Sequence, residues 1–189
     1  MPRGSLRVIA GTAGGRRLVS PPGDRLRPTA DRVKESVFSA LGPDRLTGAR
    51  VLDLYAGTGA LAIEALSRGA EEAVLVERDA AAARAIQANL ESTGMTGRAV
   101  LRRSDVRSVL AGPAAAPFDL VFLDPPYDLP DAALGEVLER LAQGGWTAPE
   151  ATLVVERSAA GGAPPWPPNW RSTWERCYGD TLMLFAQRE

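Results

Sequence analysis

"VLDLYAGTGALAIEAL", residues 51–66, passes from one apolar run through two glycines into another. The first part reads as a short strand, Gly57 and Gly59 as a loop, and the stretch from Gly59 to Gly69 as a helix. With Ala62 the glycines satisfy G-x-G-x-x-A, and Glu77 follows about 20 residues on, as in the dinucleotide-binding fingerprint. Alone, that match is weak.

The same alternation continues downstream. "EAVLVERD" (72–79) reads as a second strand and "AAAARAIQANLESTG" (80–94) as its helix. "RAVLRRSDV" (98–106) is a shorter third strand and "FDLVFLDPPY" (118–127) a fourth. "DAALGEVLERLAQGG" (131–145) is a helix and "EATLVVERS" (150–158) a fifth strand. Strand and helix in turn, with short loops, predict an α/β fold with a parallel sheet covered on both faces. The closing "NWRSTWERCYGDTLMLFAQRE" (169–189) reads as two strands joined through Tyr178-Gly179-Asp180, an antiparallel last pair. The expected sheet thus has seven strands, mostly parallel. "AAGGAPPWPPNW" (159–170) is a stiff connection, and the alanine-rich "AGPAAAPFD" (111–119) yields no assignment.

Upstream, "SLRVIAGTAGGRRLVSPP" (5–22) predicts an N-terminal β-hairpin. "LRPTADRVKESVFSALG" (26–42) predicts a helix with Thr29 as N-cap, an apolar stripe of Val33, Val37 and Leu41, and an end at Gly42-Pro43. These divide the chain into a basic extension, residues 1–48, and a Rossmann-like domain, residues 49–189, within one unit.

The composition narrows the chemistry. The 189 residues are 45% hydrophobic and 24% charged, as in an ordinary globular domain. No apolar run approaches a membrane span, the first residues lack a signal-peptide core, and the single Cys177 cannot form an internal disulfide. The cytoplasm is the expected compartment. There is no histidine, so a Ser-His-Asp triad, a Cys-His pair and histidine-bearing zinc sites are excluded within the chain. The net charge of −1 hides an asymmetry. Residues 1–50 hold ten basic side chains against four acidic ones, a net of +6, and the rest carries −7. Arg7, Arg16, Arg17, Arg25, Arg27 and Arg32 are the candidates for a polyanion-binding surface. A solvated arginine-rich surface is the plainer alternative.

Asp53 bears on the ligand. It precedes the glycine loop where a nicotinamide cofactor would lay its pyrophosphate, and a carboxylate there repels phosphate and attracts an ammonium. S-adenosylmethionine carries an amino group and a sulfonium and has no phosphate. In that reading Asp53, Ala56, Gly57, Thr58 and Gly59 meet its methionine end and Glu77, with Arg78 beside it, its ribose. Asp105 and Val106 meet its adenine. The plainer alternative makes the acids helix caps, which suits Asp79 and equally Asp105, but suits Asp53 poorly because the loop separates it from the helix.

Asp124-Pro125-Pro126-Tyr127 ends strand four at the same edge. Proline fixes φ near −65° and presses the preceding residue towards extended backbone, which aims the Pro125 carbonyl. An aromatic amine is a poor nucleophile. Donating one N–H to Asp124 and the other to the Pro125 carbonyl aims its lone pair, and Tyr127 can stack on the base. A stiff strand exit with Tyr127 packed in the core is the bland reading, disfavoured by the context of the glycine loop.

At these residues the chain resembles the amino-methyltransferases of the Asp/Asn-Pro-Pro-Tyr/Phe type, and more closely the bacterial RsmD family. The likeness takes in "RVIAGTAGGRRL", "LRPTADRVKESVFSAL", "VLDLYAGTGALAIEALSRGA", "VERD", "FLDPPY", "GGW" and "YGDT". It implies a class I S-adenosylmethionine-dependent methyltransferase fold and methyl transfer to guanine N2 in 16S rRNA of the small ribosomal subunit or its assembly intermediate, with a monomer expected. It also implies that Arg27-Pro28-Thr29 lies over the cofactor or the base, while Thr29 suits a plain helix start equally. Three rivals stay open: an adenine-N6 methyltransferase on DNA or RNA, a nicotinamide oxidoreductase, and a non-catalytic RNA-binding assembly factor.

Overall fold

In the computed structural model, which describes residues 6–21 and 30–189, strand β1 (Arg50–Leu54) is covered on both faces. That accounts for its near-continuous apolar run. It pairs in parallel with β2 (Glu72–Val76) on one side and β4 (Phe118–Leu123) on the other. β3 (Ala99–Arg102) lies outside β2 and β5 (Thr147–Ser158) outside β4, both parallel. β7 (Thr181–Arg188) joins β5 antiparallel, and β6 (Trp170–Tyr178) pairs with β7 at the edge. In the order β3-β2-β1-β4-β5-β7-β6, the chain reverses its direction of winding between β1 and β4. Open α/β sheets bind ligands at such a switch point, outside the carboxyl ends of the strands.

Helices cover both faces. α1 (Ala30–Leu41), α2 (Ala60–Ser67) and α3 (Ala80–Thr93) share one core with Val51, Leu75, Phe122, Val154 and Phe185. α4 (Val106–Leu110) and α5 (Asp131–Gln143) share the other with Leu52, Leu54, Val76, Leu123 and Val155. The period-two split of each strand between the two cores is the alternation expected of a pleated strand. Asp79 caps α3 by accepting from Ala81 N and Ala82 N, and Gly94 closes that helix at φ +72°. α1 stops at Leu41, with Gly42 at φ +68° and Pro43 next, as its sequence dictates.

Three expectations are corrected. The N-terminal hairpin shrinks to one antiparallel bridge, Arg7 opposite Arg17, flanked by bonds from Val8 N to Arg16 O and Leu18 N to Leu6 O. Gly15 N also crosses to Val8 O, while the donors of residues 9, 10 and 12 turn to α2. Ile9 N and Ala10 N bond the Glu64 carboxylate at 2.7 and 3.0 Å, and Thr12 N bonds the Ser67 carbonyl at 2.8 Å. Gly11, at φ +81°, is forced by this docking, since a Cβ there would stand 1.8 Å from the Ser67 carbonyl oxygen. α4 was not read from the sequence, because five residues carry too little periodicity. β5 begins at Thr147, three residues before its expected start. The positions Arg25, Arg27, Pro28 and Thr29 lie outside the described residues.

Val37, Phe38 and Leu41 of α1 are essentially inaccessible and pack with Phe122, so the basic segment shares the sheet's core. Full burial of each such side chain contributes about 1.5–3 kcal/mol. The charged centre of this contact is Glu64, fully buried in a helix whose only other polar residue is Ser67. Besides the two amides it accepts from Arg68 Nε at 2.7 Å and pairs with the buried Lys34 at 3.5 Å, and Lys34 donates to the Arg7 carbonyl. Removing one partner of a buried pair strands the other, at a cost of about 3–5 kcal/mol. Glu64→Ala is expected to lose about that much stability by denaturant titration. Amide exchange at Ile9 and Ala10 should accelerate ahead of the sheet; unchanged protection there would contradict the docking role.

Candidate active site

The crevice at the switch point has a volume of about 460 Å³, within the range of small-molecule sites. Asp53, Tyr55, Ala56, Gly57, Thr58, Glu77, Arg78, Asp105, Val106 and Asp124 to Tyr127 all line it. The structure therefore brings together the glycine loop, the three strand-end acids and the Asp-Pro-Pro-Tyr turn. Gly59 lies behind the loop, where a Cβ would approach Leu75 Cδ2 to 3.0 Å, so it serves the packing of loop on strand.

Asp53 is 1% exposed, and its Oδ2 accepts from Ala62 N at 3.2 Å. This corrects the expectation that the loop keeps Asp53 from capping α2. The left-handed glycines, Gly57 at φ +57° and Gly59 at φ +75°, fold the loop back on the strand. Gly59 at the N-cap position has no side chain to bond the first turn, and Asp53 supplies that acceptor from the strand. Burial pushes the Asp53 carboxyl up to about 7; the Ala62 amide opposes the shift and the nearby Glu77 charge adds to it.

Glu77 holds the loop from the other side. Its Oε2 accepts from Gly57 N at 2.9 Å and its Oε1 from Asp79 N at 2.8 Å. In a pyrophosphate site the Gly57 amide would serve the ligand. Here it is committed to a carboxylate, and Asp105 adds further negative charge, so a nicotinamide dinucleotide fits poorly. A ligand that donates from an ammonium and ribose hydroxyls fits this set of acceptors. Thr58 is fixed through its carbonyl, which accepts from the buried Asn89. Asn89 also exchanges two hydrogen bonds with the Val19 backbone, tying the basic segment to the glycine loop.

Asp105 serves as the N-cap of α4, its Oδ1 accepting from Arg107 N at 2.9 Å, with Arg78 Nη1 at 3.9 Å from Oδ2. The helix-cap alternative is thus realised while the side chain still borders the crevice. Val106 is 3% exposed and belongs chiefly to the core beneath.

Asp124 is exposed at the crevice and its amide extends the β1–β4 pairing, donating to Leu54 O at 3.5 Å. Pro125 is buried, and the Pro126 carbonyl closes the turn by accepting from Leu129 N. Tyr127 is 44% exposed, which rules out the core-packed reading. Its hydroxyl lies 3.3 Å from both Glu156 Oε1 and Thr181 Oγ1, so its ring is held at the mouth.

Reasoning from sequence missed Tyr55, Lys34, Glu156, Thr181 and Met183, all of which line the crevice. Tyr55 takes φ +61°, rare for a bulky side chain and typical of strained functional loops. Burial, with the Asp105 charge, raises its hydroxyl pKa. Glu156 lies near the carboxyl end of β5 as Asp124 follows the end of β4, a signal visible in "LVVER" but mute without the register. Of the arginine candidates, Arg7, Arg16, Arg17 and Arg32 are exposed, and Arg16 also donates to Ser92 O at 2.9 Å. Among the described residues no cluster of metal-ligating side chains occurs, and no helix is long and apolar enough to cross a membrane.

A doubly wound sheet that commits its loop amide to a carboxylate, leaving an acid-lined crevice, has the architecture of the class I S-adenosylmethionine-dependent methyltransferases. The solved structure of yhhF from Escherichia coli matches 98% of this chain and 99% of its own, with a TM-score of 0.88 and 36% identity. The family described as conserved hypothetical protein 95 matches residues 6–187. The ribosomal RNA small subunit methyltransferase D of Escherichia coli K12 is 39% identical over 186 residues, 98% of this chain and 91% of that protein. Its namesake from Haemophilus influenzae is 36% identical over 157 residues, 82% of this chain and 79% of that protein. The chain belongs to this family, the RsmD family of methyltransferases.

The raised Asp53 pKa sets a pH dependence. Between about pH 4 and 7 the folded protein keeps a proton that the unfolded chain has lost, so stability falls as pH rises through this window. Asp53→Asn is expected to remove that slope and to be the more stable protein at about pH 8, by a few kcal/mol at about 1.4 kcal/mol per pKa unit. Urea titrations of the ligand-free proteins across this range check it; parallel curves would contradict the burial of an ionisable Asp53.

Proposed function

We propose that the enzyme methylates the exocyclic N2 of a guanine in 16S rRNA, using S-adenosyl-L-methionine. The observation that carries the reading is the exposed Asp124 carboxylate beside the buried Asp53, one strand apart at the switch point, followed by a proline-fixed carbonyl and a half-exposed tyrosine. The relatives' names supply the substrate class, small-subunit ribosomal RNA. Acting on ribosomal RNA agrees with a cytoplasmic enzyme, here read as a monomer.

S-adenosylmethionine supplies, when bound, an electrophilic methyl group on a positively charged sulfur. Asp53 holds its ammonium, and the pairing favours the ionised carboxylate that burial otherwise disfavours. Glu77 accepts from ribose hydroxyls with the lone pairs left over from its two amide bonds. Asp105 borders the adenine, with Arg78 and Val106 alongside and Ala56, Gly57 and Thr58 as the floor.

Asp124 accepts one N–H of the target amine and the Pro125 carbonyl the other, which turns the nitrogen lone pair towards the methyl. Pro126 keeps that carbonyl in place, and the Tyr127 ring stacks on the base. Once methylated, the nitrogen is cationic and acidic; its proton leaves to Asp124 or to water, so no histidine is needed. Catalysis is positioning and electrostatics. A guanine within folded RNA must leave its stack to reach the turn.

The RNA surface is read on the basic segment. Arg7 and Arg17 stand directly opposite in the bridge, and like charges in that relation destabilise a pair of strands. Both are exposed, so a phosphate could be met by the two guanidinium groups together. Arg16 and Arg32 extend the surface, and Arg25, Arg27 and Thr29 belong to the same reading by sequence alone.

Incubation with labelled S-adenosylmethionine and undermethylated small subunits, free 16S rRNA or DNA, followed by nucleoside analysis, is expected to yield N2-methylguanosine from the ribosomal substrates. N6-methyladenosine, or label in DNA alone, would overturn the reading. Asp124→Ala should lower turnover on the order of 100-fold while binding S-adenosylhomocysteine as the wild type does. Turnover within a few-fold of wild type would remove Asp124 from the mechanism.

A further inference from the structure

Leu123 pairs with Val155 across the parallel β4–β5 ladder. The next two residues, Asp124 and Glu156, therefore follow side by side on neighbouring strands, on the face that carries Phe122 and Val154. Glu156 still belongs to β5, is paired with Met183 of β7 and is half-buried at the crevice. Adjacent strands are about 4.8 Å apart, so a flat base held at Asp124 brings the next position of its edge within reach of Glu156. The Tyr127 hydroxyl fixes the carboxylate by donating to its Oε1.

What lies next to the amine separates the purines. In guanine the neighbour of the N2 amine is N1–H, a donor; in adenine the neighbour of the N6 amine is N1, an unprotonated acceptor. An ionised carboxylate only accepts. We propose that Glu156 is the specificity-determining residue of this site: it accepts the guanine N1–H while Asp124 holds the N2 amine, and it repels the N1 lone pair of adenine. The inference rests on the guanine-N2 reading and adds the residue that selects that base over adenine. Sites built around a hydrogen bond reject analogues lacking the partner strongly, because a buried acceptor is then left facing an acceptor.

The test uses small-subunit rRNA assembled by ligation, with guanosine or 2-aminopurine riboside at the nucleotide identified by the labelling experiment. 2-Aminopurine keeps the N2 amine but has no N1–H. Wild type is expected to prefer guanosine by more than about 10-fold in kcat/KM. Glu156→Gln should lose about 10- to 100-fold on guanosine and narrow or reverse the preference, since its carboxamide can donate to N1. Tyr127→Phe, which removes the hydroxyl that holds Glu156 but keeps its carboxylate, should narrow the preference less than Glu156→Gln does. Binding of S-adenosylhomocysteine by calorimetry verifies that each variant is folded. A wild-type preference below about 10-fold overturns the inference whatever the variants do. So does an unchanged preference in Glu156→Gln, or a lost one in Tyr127→Phe, which would mean that Glu156 acts only through the tyrosine. Absence of guanine methylation by the wild type withdraws the underlying reading, and this one with it; intact guanine methylation with either of the other results removes Glu156 alone.

Discussion

Everything at the crevice depends on the register of three parallel strands. Asp53 pairs with Phe122, and Phe122 with Val154. With a side-chain period of two, this register puts Asp53, Asp124 and Glu156 on one face at the carboxyl edge. A slip of one residue would move any of the three into the opposite core. The register is in turn enforced by burial, for Leu52, Leu54, Leu123 and Val155 all fill the other face. An apolar demand on one side of the sheet thus dictates where the acids stand on the other. Asp53 pays for its position with a desolvated carboxyl, which makes it receptive to a cation.

The basic segment is joined to this arrangement at two polar nodes. Glu64 binds the backbone of Ile9 and Ala10, and Asn89 binds Val19 while holding the Thr58 carbonyl of the glycine loop. Glu64 sits on α2, whose first residues line the crevice, and Asn89 on α3, which reaches the glycine loop through this bond. The segment proposed to meet RNA and the loop proposed to meet the cofactor therefore share fixed contacts. Lys34, within the basic segment, lines the crevice and pairs with Glu64, so it belongs to the first of these nodes.

Much of this was legible in the sequence, for identifiable reasons. The strands and long helices announced themselves through apolar runs, the Asp79 cap and the terminal glycines, signals that are local. The Asp-Pro-Pro-Tyr turn and the glycine loop were legible because rigid or left-handed backbone needs particular residues. The hairpin pairs over fewer residues than its pattern implies because some of its donors are satisfied by Glu64 and Ser67 some 54 and 55 positions away, which no local pattern encodes. Asp53 was misjudged as a cap for the same reason, the loop bringing Ala62 N back to it across nine residues. Glu156 stayed silent because its meaning lies in a pairing with β4, and the register of parallel strands is not written in either strand alone. Glu64 did leave a trace, a lone acid in "ALAIEALS", which is costly to bury without partners.

The most direct measurement is a crystal structure of the enzyme with S-adenosylhomocysteine and an RNA fragment containing the target guanosine. The account expects the guanine N2 within about 3 Å of both the Asp124 carboxylate and the Pro125 carbonyl, with the Tyr127 ring stacked on the base. A base bound with its amine turned away from residue 124, or seated elsewhere on the protein, would contradict it.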